Sequence, residues 1–335
     1  MKVENINLDL TKLHPRGSIE KLYLQMKEDL RIYWDKDSDS LDLEKVEEVR
    51  CSLCDSLPPS ASTALFKKYH FPYLRCPHCF LVYVSPRPKL KYIEEQYKKG
   101  RFTHAFRDIY LPSAQYRMAT IFRERVEDII MPRVRSGRLL DIGCSSGHFL
   151  KVAYEHNFDI YGIEPNPDMA KFASEELRLP NIKCGILKDD TYPGEYFDVI
   201  TLWDVLEHVL NPNELLRLVF SFLKQDGWVF AYTENLDSFN FFITGSDSEM
   251  FAPDVHLRHY TPNTFRAQFE KAGFLVREVI TNGLDIQHIE TTIRINGGKY
   301  PAKELQYIFK QKNKWQAVIN ALGKGDNLRL FAQKP

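Results

Sequence analysis

Short apolar runs alternate with amphipathic segments over the second half of the chain. The runs RLLDIG, FDIYGIE, NIKCG, FDVITLW and GWVFAYTE lie among segments whose apolar residues recur with helical spacing. This alternation is typical of parallel strands joined by crossover helices. A helix over 264–272, the strand FLVREVI, a helical insertion around 303–319 and a final strand NLRLFAQ complete the series. The pattern predicts an α/β fold with a doubly wound, mostly parallel, Rossmann-like sheet.

The first part of the chain has a different pattern. Residues 1–45 are acidic and irregular, except for an amphipathic helix predicted near Ile19–Tyr33 and a polar DKDSDSLD stretch after it. Short β-like pieces then lie between two cysteine pairs and end at the stiff PRP. A further helix is predicted over Ser113–Val134. We therefore expect a helical arm over 1–45, a small module over 46–88 and a larger domain over 89–335, with insertions at 234–262 and 284–325.

Composition limits the partners and the location. The chain has 335 residues, 45 basic and 45 acidic, so its net charge is zero. A nucleic-acid partner is therefore disfavoured, because such proteins usually present a positive surface. No apolar run reaches the length of a membrane span, and the start lacks the pattern of a signal or transit peptide. We expect a cytoplasmic protein.

Two cysteine pairs have the spacing of a metal site. Cys51 and Cys54 form one CxxC, Cys76 and Cys79 form a second, and 21 residues lie between the pairs. Two such turns supply the four thiolates of a closed tetrahedral Zn²⁺ site, which leaves no position for a substrate. The sequence therefore predicts a structural zinc ion.

The residues that follow the two pairs differ in their tolerance of a tight turn. Such a turn often ends in a residue with positive φ, a conformation that Asp55 accepts and Phe80 disfavours. We therefore expect the second turn to be non-standard.

A glycine loop follows the first strand of the predicted sheet. The segment LLDIGCSSGHFL places Asp141 at the strand end, then Gly143 and Gly147 before a helix. Glu164 ends the next strand, 21 residues after Gly143, where a carboxylate can accept hydrogen bonds from ribose hydroxyls. A nicotinamide dinucleotide is a competing interpretation, but its G-x-G-x-x-G fingerprint would need glycine where Ser145 stands. The loop and the acid indicate an adenosine-type cofactor.

Several motifs resemble one enzyme family. The D-x-G-x-x-x-G loop is similar to the first motif of class I S-adenosylmethionine methyltransferases, and FDVITLWDVLEHVLNP, HLRHYTPNTFRAQFEKAGF and GKGDNLRLFAQKP resemble later parts of ubiquinone-biosynthesis-type O-methyltransferases. The preceding cysteine module with RCPHCFLVYVSPRP resembles the arrangement in bacterial sugar C-methyltransferases. The resemblance implies a seven-stranded sheet whose last strand is antiparallel.

The resemblance also implies roles for individual residues. Asp141, Gly143 and Gly147, with Cys144 between them, would line the methionine end of the cofactor, and Glu164 would hold the ribose. Leu187 or Lys188 would lie near the adenine, and Trp203 with Asp204 would close over the sulfonium; Trp203 could equally be a packed aromatic residue at a strand end. Cys144 and Cys184 have no cysteine partner at metal-site spacing, and we expect both to be buried thiols.

An acid and histidine cluster follows the FDVITLW strand. Asp204, Glu207 and His208 lie at spacings of three and four, and His208 is a candidate general base. Alternatively, because D-x-x-E-H resembles the E-x-x-E-H of some metal-dependent O-methyltransferases, the three residues could hold Mg²⁺ with His256 or His259. A third interpretation is a helix cap with a packed histidine.

The loop 234–262 is expected to cross above the carboxyl ends of the strands. It contains His256, Arg258, His259 and Tyr260, which suit contacts to an anionic or sugar-like substrate, although a loop packed on the sheet is the alternative. The motifs and the resemblance thus predict methyl transfer from S-adenosylmethionine to O or C of a small molecule, such as a sugar, a glycan precursor or a secondary metabolite. Two alternatives stay open: an RNA methyltransferase that contacts RNA through the zinc module, and a non-catalytic subunit with a cofactor fold.

Overall fold

The computed structural model describes residues 8–15, 17–35, 39–248, 250–296 and 302–335. The first seven residues and part of the predicted linker, 36–38, lie outside the described residues, as do 297–301 of the predicted C-terminal insertion. Near the N-terminus, α1 spans Leu10–Leu13 and α2 spans Ser18–Leu30, followed by a 3₁₀ turn at Arg31–Tyr33 and the paired strands β1 (Trp34–Asp35) and β2 (Ser40–Leu41). The predicted amphipathic helix is therefore present.

The cysteine-containing segment forms small antiparallel sheets. Its elements are β3 (Val46–Glu47), a 3₁₀ turn (Ala61–Thr63), β4 (Phe66–Lys68), β5 (Phe71–Arg75), β6 (Val82–Val84) and β7 (Arg87–Pro88). Strand β3 pairs with β7, and β4, β5 and β6 lie side by side. Helix α2 packs on this sheet through Tyr23, Met26 and Leu30, which share one apolar cluster with Phe71 and Val84.

A helical stretch connects the module to the main domain. It comprises α3 (Leu90–Lys99), α4 (Arg101–Ala105), a π-helical turn (Phe106–Tyr110), α5 (Leu111–Arg117) and two further π-helical segments (Met118–Phe122 and Arg125–Ile130). The helix predicted over Ser113–Val134 is therefore real but begins earlier, and several of its turns are wide. Such turns are often found at functional sites.

The main domain is a doubly wound α/β sheet with one added segment. Its first part contains β8 (Gly137–Ile142), α6 (His148–Glu155), β9 (Phe158–Glu164), α7 (Pro167–Lys171) with a π turn at Phe172–Glu176, β10 (Ile182–Cys184), β11 (Phe197–Trp203), α8 (Pro212–Phe222) and β12 (Leu223–Glu234). The segment after β12 contains α9 (Phe239–Thr244), a 3₁₀ turn (Gly245–Asp247), β13 (Arg258–His259) and α10 (Pro262–Lys271). The chain ends with β14 (Leu275–Asn282), α11 (Asp285–Asn296), α12 (Ala302–Lys310), α13 (Lys312–Ala321) and β15 (Asn327–Gln333).

Seven strands form the central sheet in the order β10-β9-β8-β11-β12-β15-β14. The strands β8 to β12 pair in parallel, and β15 is antiparallel to both of its neighbours. Neighbouring residues of a strand face opposite sides: Leu139 and Val199 belong to one apolar cluster, Leu140 and Ile200 to the other. The predicted seven-stranded fold, including the antiparallel last strand, is confirmed.

The insertion after β12 does not simply cover the sheet. Its strand β13 pairs with β6 of the cysteine module, so that module's sheet contains four strands in the order β13-β6-β5-β4. Cys51, Leu53 and Leu74 lie in the same apolar cluster as residues of α8 and α10. The module is therefore packed directly on the main domain. No helix in the described ranges is long and apolar enough to cross a bilayer.

Candidate active site

The glycine loop after β8 requires its glycines. Gly143, Ser145 and Gly147 have φ angles of 72°, 49° and 77°. A Cβ at Gly147 would lie 2.7 Å from Leu179 Cδ1 and 2.9 Å from Ala173 Cβ, closer than packed atoms approach. Gly147 therefore serves the packing of the loop against the following helices, whereas Gly143 lies on the cavity described below.

Glu164 ends β9 and fixes the shape of the same loop. One carboxylate oxygen accepts a hydrogen bond of 2.8 Å from the Ser145 backbone N–H, and the other accepts one of 2.8 Å from the Asn166 N–H. Burial raises the pKa of Glu164 to about 7, although these two N–H groups oppose the shift. A carboxylate has about four acceptor positions, so two remain for a ligand.

Asp141 lies at the carboxyl end of β8, with 3% of its surface exposed. The hydroxyl of Thr201 on β11 donates to its Oδ1 over 2.6 Å. Burial raises the pKa of Asp141 to about 7, against the opposing effects of the Thr201 hydroxyl and of Arg125. A cationic ligand group at this point would favour the ionised form.

A cavity of about 1380 Å³ opens above the carboxyl ends of the strands, where open α/β sheets bind ligands. It brings together many of the predicted site residues: Asp141, Gly143, Cys144, Glu164, Leu187, Lys188, Trp203, Asp204 and His208. Gly147, Glu207, His256, His259 and Tyr260 do not line it. Cys144 is buried as expected, but Cys184 is exposed at the cavity rim because β10 is a short edge strand with a single neighbour.

Trp203 and Asp204 form the end of β11. The Trp203 ring contacts Phe149 edge to face, with the ring centres 5.6 Å apart, so it is both a packed aromatic residue and part of the cavity wall. Asp204 has a φ of 56° and its N–H donates to the Tyr232 carbonyl, which turns the side chain into the cavity. Although Asp204 is exposed to the cavity, the protein around it displaces much of its water, and this desolvation raises its pKa to about 6 against the effect of Arg125.

Glu207 and His208 differ in their access to the cavity. Glu207 is 2% exposed and does not line the cavity, whereas His208 contributes to its wall. The His208 Nδ1–H donates to the Val255 carbonyl over 2.9 Å, which leaves Nε2 as the basic nitrogen of the neutral ring. Its Nε2 lies 3.9 Å from Glu207 Oε1, beyond hydrogen-bond length.

The geometry does not support the Mg²⁺ hypothesis. Within the described ranges, the four cysteines are the one group of three or more potential ligands whose atoms converge. Asp204 and His208 line the cavity, whereas Glu207 is buried and does not, and the ligand atoms of these three residues do not form such a group.

The histidine side chains of the 256–260 segment contact other protein groups and do not reach the cavity. His256 Nδ1 lies 3.2 Å from Glu234 and 2.6 Å from the Met250 carbonyl. Burial acts to lower the pKa of His256, but the carboxylates of Glu234 and Glu207 outweigh this effect and raise the pKa to about 9. His259 packs against Phe251 and Tyr73, and burial lowers its pKa well below the usual range. The structure therefore does not bring His256, His259 or Tyr260 to the cavity as predicted substrate contacts.

Arg258 of this segment organises the neighbouring loop. Its guanidinium donates to the backbone carbonyls of Leu206, Val209 and Leu210 at 2.7, 2.5 and 3.3 Å. Arg87 of β7 donates to the Leu210 carbonyl as well. The loop that carries His208 is therefore held by one arginine on β13 and another in the cysteine module.

The four cysteines form a compact cluster suited to a metal ion. The sulfur atoms of Cys51 and Cys79 are 3.4 Å apart, those of Cys54 and Cys76 are also 3.4 Å apart, and all four lie within 4.8 Å of one another. Tetrahedral Zn²⁺ with four sulfur ligands needs separations of about 3.8 Å. All four cysteines are free thiols, so they remain available to a metal. The cluster fits the predicted structural zinc.

Both cysteine turns have the same geometry. The N–H of Asp55 donates to the Cys51 carbonyl and that of Phe80 to the Cys76 carbonyl, and the two residues have φ angles of 62° and 65°. The expectation of a non-standard second turn is therefore wrong. The Phe80 ring lies under the Arg75 guanidinium, 5.1 Å from the ring centre, which compensates part of the strain.

Three arginines of the cavity wall were not predicted as site residues. Arg117 and Arg125 come from the helical stretch before β8, and Arg329 comes from β15. The cavity also receives His14 from the N-terminal arm and Gln287, His288 and Gln316 from the C-terminal insertion. One signal was available: Phe122, Arg125 and Ile129 follow helical spacing, so Arg125 is a charge on an apolar stripe.

The sheet, the glycine loop and the acid after β9 together define a doubly wound fold built around an adenosine-type cofactor site. Residues 114–279 match the family model described as a methyltransferase domain. The chain therefore contains a class I S-adenosylmethionine-dependent methyltransferase domain.

The comparisons with individual proteins cover parts of the chain. A ubiquinone biosynthesis O-methyltransferase of Bordetella avium is 30% identical over 121 residues, 33% of this chain and 48% of the relative. One from Coxiella burnetii is 26% identical over 120 residues, 34% of this chain and 51% of the relative. The chain thus spans about half the length of these curated relatives. A crystal structure of an S-adenosylmethionine-dependent methyltransferase from Archaeoglobus fulgidus aligns over 73% of this chain and 100% of its own, with a TM-score of 0.43 and 22% identity.

Proposed function

We propose that this protein transfers a methyl group from S-adenosylmethionine to an oxygen or carbon atom of a small molecule. One observation carries the proposal: a single cavity joins the glycine loop and Glu164 to Trp203, Asp204 and His208. Its volume of about 1380 Å³ exceeds the range of roughly 300–1,000 Å³ for pockets that hold one small ligand. The cavity therefore has room for a cofactor and an acceptor side by side.

The cofactor residues each have a defined task in this proposal. Glu164 accepts hydrogen bonds from the ribose, Asp141 faces the ammonium group, and Leu187 or Lys188 contacts the adenine. S-adenosylmethionine, when bound, supplies an electrophilic methyl group on a sulfonium. Because such a displacement needs little covalent help, the chain mainly aligns the two reactants and excludes water.

His208 is the proposed proton acceptor. Its Nδ1–H is held by the Val255 carbonyl, so Nε2 can take the proton from an acceptor hydroxyl as the oxygen attacks. Asp204, which also faces the cavity, is placed to orient that hydroxyl. Arg258 and Arg87 hold the loop that carries Asp204 and His208, and neither arginine is assigned a contact with a reactant.

Replacing Glu164 by alanine should weaken the binding of S-adenosylhomocysteine by about 1.5–3 kcal/mol, the value of a lost hydrogen bond to a charged group. Calorimetric titration measures this change and also tests the proposed function, because a wild type that fails to bind S-adenosylhomocysteine would refute it.

Asp159→Ala is the matched control. Asp159 is an exposed residue at the opposite end of the same strand, so this variant should bind like the wild type. Equal affinity in Glu164→Ala and wild type would mean that the ribose lies elsewhere.

Cofactor affinity should fall as the pH drops below about 7. The pKa values of Asp141 and Glu164 in the free protein are both raised to about 7. A bound ammonium group lowers the pKa of Asp141, and ribose hydroxyls lower that of Glu164. Binding therefore releases protons below pH 7, and affinity falls by up to about tenfold per pH unit for each group that titrates.

Titrations with S-adenosylhomocysteine between pH 5.5 and 8, repeated in two buffers of different ionisation enthalpy, measure the released protons. Asp141→Asn should flatten much of this dependence. An affinity that is constant over the range would show that neither carboxylate titrates on binding.

A further inference from the structure

The guanidinium of Arg125 is buried beside the cavity, and none of the described residues gives it a hydrogen-bond or ion-pair partner. The residue is 8% exposed, and its guanidinium lies 4.4 Å from the ring centre of Trp203 and 5.0 Å from that of Tyr232. Across the described part of the chain, Arg125 makes no hydrogen bond and no ion pair. Its five N–H donors are therefore oriented by aromatic faces and remain available to a ligand.

Arg117 lies on the same helical stretch and also reaches the cavity. Its guanidinium is 4.9 Å from the ring centre of Tyr110 and donates to the Ser113 hydroxyl and the Leu13 carbonyl. Both partners are neutral, so no carboxylate in the described ranges forms an ion pair with Arg117. One buried and one half-buried arginine thus line one wall of the cavity.

The carboxylates of the region do not neutralise these two arginines. Glu124 is paired with Arg329. Asp204 interacts electrostatically with Arg125 and Arg117, but lies beyond ion-pair distance from both. Because an unpaired charge away from water is costly, buried cations in proteins are normally matched by an anion, either from the chain or from a ligand.

The positive charge of Arg125 lies on the side of the cavity away from the proposed cofactor residues. Besides Phe122 of its own helical stretch, its guanidinium contacts the rings of Trp203 and Tyr232 near the ends of β11 and β12, whereas Asp141, Glu164 and Leu187 follow β8, β9 and β10. In the sheet order, β12 is two strands from β8, on the side opposite β9 and β10. A group bound to Arg125 therefore lies beyond Trp203 from the adenosine end of the cavity.

We propose that Arg125 and Arg117 bind an anionic group of the methyl acceptor, a carboxylate or a phosphate. The proposal rests on the proposed function and narrows its acceptor to an anionic small molecule. Guanidinium groups suit this task because they bind the oxygens of either anion in bidentate fashion. The reacting hydroxyl or carbon of the acceptor would then lie between Arg125 and the Asp204–His208 edge.

The test uses the full chain saturated with S-adenosylhomocysteine and two simple anions as probes. Benzoate and inorganic phosphate are titrated at constant ionic strength against sodium chloride, and the thermal midpoint of the complex is recorded. At least one anion should stabilise the wild-type complex more than chloride does. A response to benzoate indicates a carboxylate acceptor, and a response to phosphate indicates a phosphorylated one.

The variants identify where the anion binds. Arg125→Met should weaken the anion response by roughly tenfold or more, Arg117→Met should weaken it as well, and Arg125→Lys should keep part of it. Arg133→Met is the matched control: Arg133 also lies over aromatic rings, Phe331 at 4.4 Å and Trp228 at 5.6 Å, but it is paired with Glu278 and does not line the cavity. Its anion response should equal that of the wild type.

Three results would overturn the proposal. These are a wild-type complex that responds to neither anion, an Arg125→Met variant that retains the response, and a parallel loss of roughly tenfold or more in S-adenosylhomocysteine affinity in Arg125→Met. The last result would show that Arg125 holds the carboxylate of the cofactor instead.

Wild-type protein that does not bind S-adenosylhomocysteine would refute the proposed function, and the anion titration of the free protein would still test the arginine site. Circular dichroism of each variant confirms folding, and Arg117→Met and Arg125→Lys keep the test valid if Arg125→Met is unstable.

Discussion

One Zn²⁺ ion per chain should purify with the protein, and its removal should unfold the four-cysteine module. Binding to four thiolates contributes on the order of 10 kcal/mol to the stability of a small zinc module, which is comparable to the unfolding free energy of a whole domain. The module also supports its neighbours: Asn213 and Lys271 donate to the Ser52 and Leu53 carbonyls. Chelation or Cys76→Ser should therefore lower the melting temperature by at least about 10 °C.

Elemental analysis and thermal denaturation measure the two effects. Cys184→Ser is the control, since Cys184 is an exposed thiol outside the module and its loss should change neither zinc content nor melting temperature. Folded protein with a zinc content near zero would contradict the prediction.

His208→Ala should reduce methyl transfer by a factor on the order of 10² to 10⁴ while leaving cofactor affinity nearly unchanged. The residue lies on the loop after β11, and the proposed cofactor contacts lie mainly on the three strands to the other side. If Nε2 acts as a base, the loss should be smallest at high pH, where an acceptor hydroxyl is already ionised. Single-turnover transfer of a tritiated methyl group, with S-adenosylhomocysteine titrations in parallel, separates the two effects.

His156→Ala provides the comparison for this variant. His156 lies at the end of α6, bound to Glu127 and the Val152 carbonyl and outside the cavity, so its loss should leave turnover intact. A fully active His208→Ala enzyme would leave His208 as a packed residue without a catalytic task.

The fold was predictable because its signals are local. The apolar runs RLLDIG, FDIYGIE and FDVITLW are largely buried strands, and the glycine loop has a fixed chemistry that one short motif reveals. The thiol cluster was equally predictable from the sequence, because two CxxC turns at this spacing have few other uses. The Cys184 prediction was wrong because burial depends on where a strand lies in the sheet, and β10 is at the edge.

The acceptor half of the cavity was less predictable because it is assembled from distant segments. Arg125 precedes the sheet, Arg329 is on its last strand, and His14 and His288 come from the two ends of the chain. The motif HLRHY was expected to contact substrate from its residue types alone. The polar atoms of His256 and Arg258 instead bind carbonyls and a carboxylate inside the protein, a difference that appears only when tertiary neighbours are known.

The pairing of β13 with β6 has a consequence for synthesis of the chain on the ribosome. The cysteine module is made first, but its contacts with Asn213 and Lys271 join residues 161 and 218 positions apart, and its fourth strand comes from the same late region. Until that region emerges, the nascent module presents β6 as an open sheet edge, the kind of surface that invites pairing with other chains. Early metal binding would keep the nascent module compact during this interval. The edge of β6 is closed only when β13 pairs with it, and β13 also carries the Arg258 that positions the loop of His208.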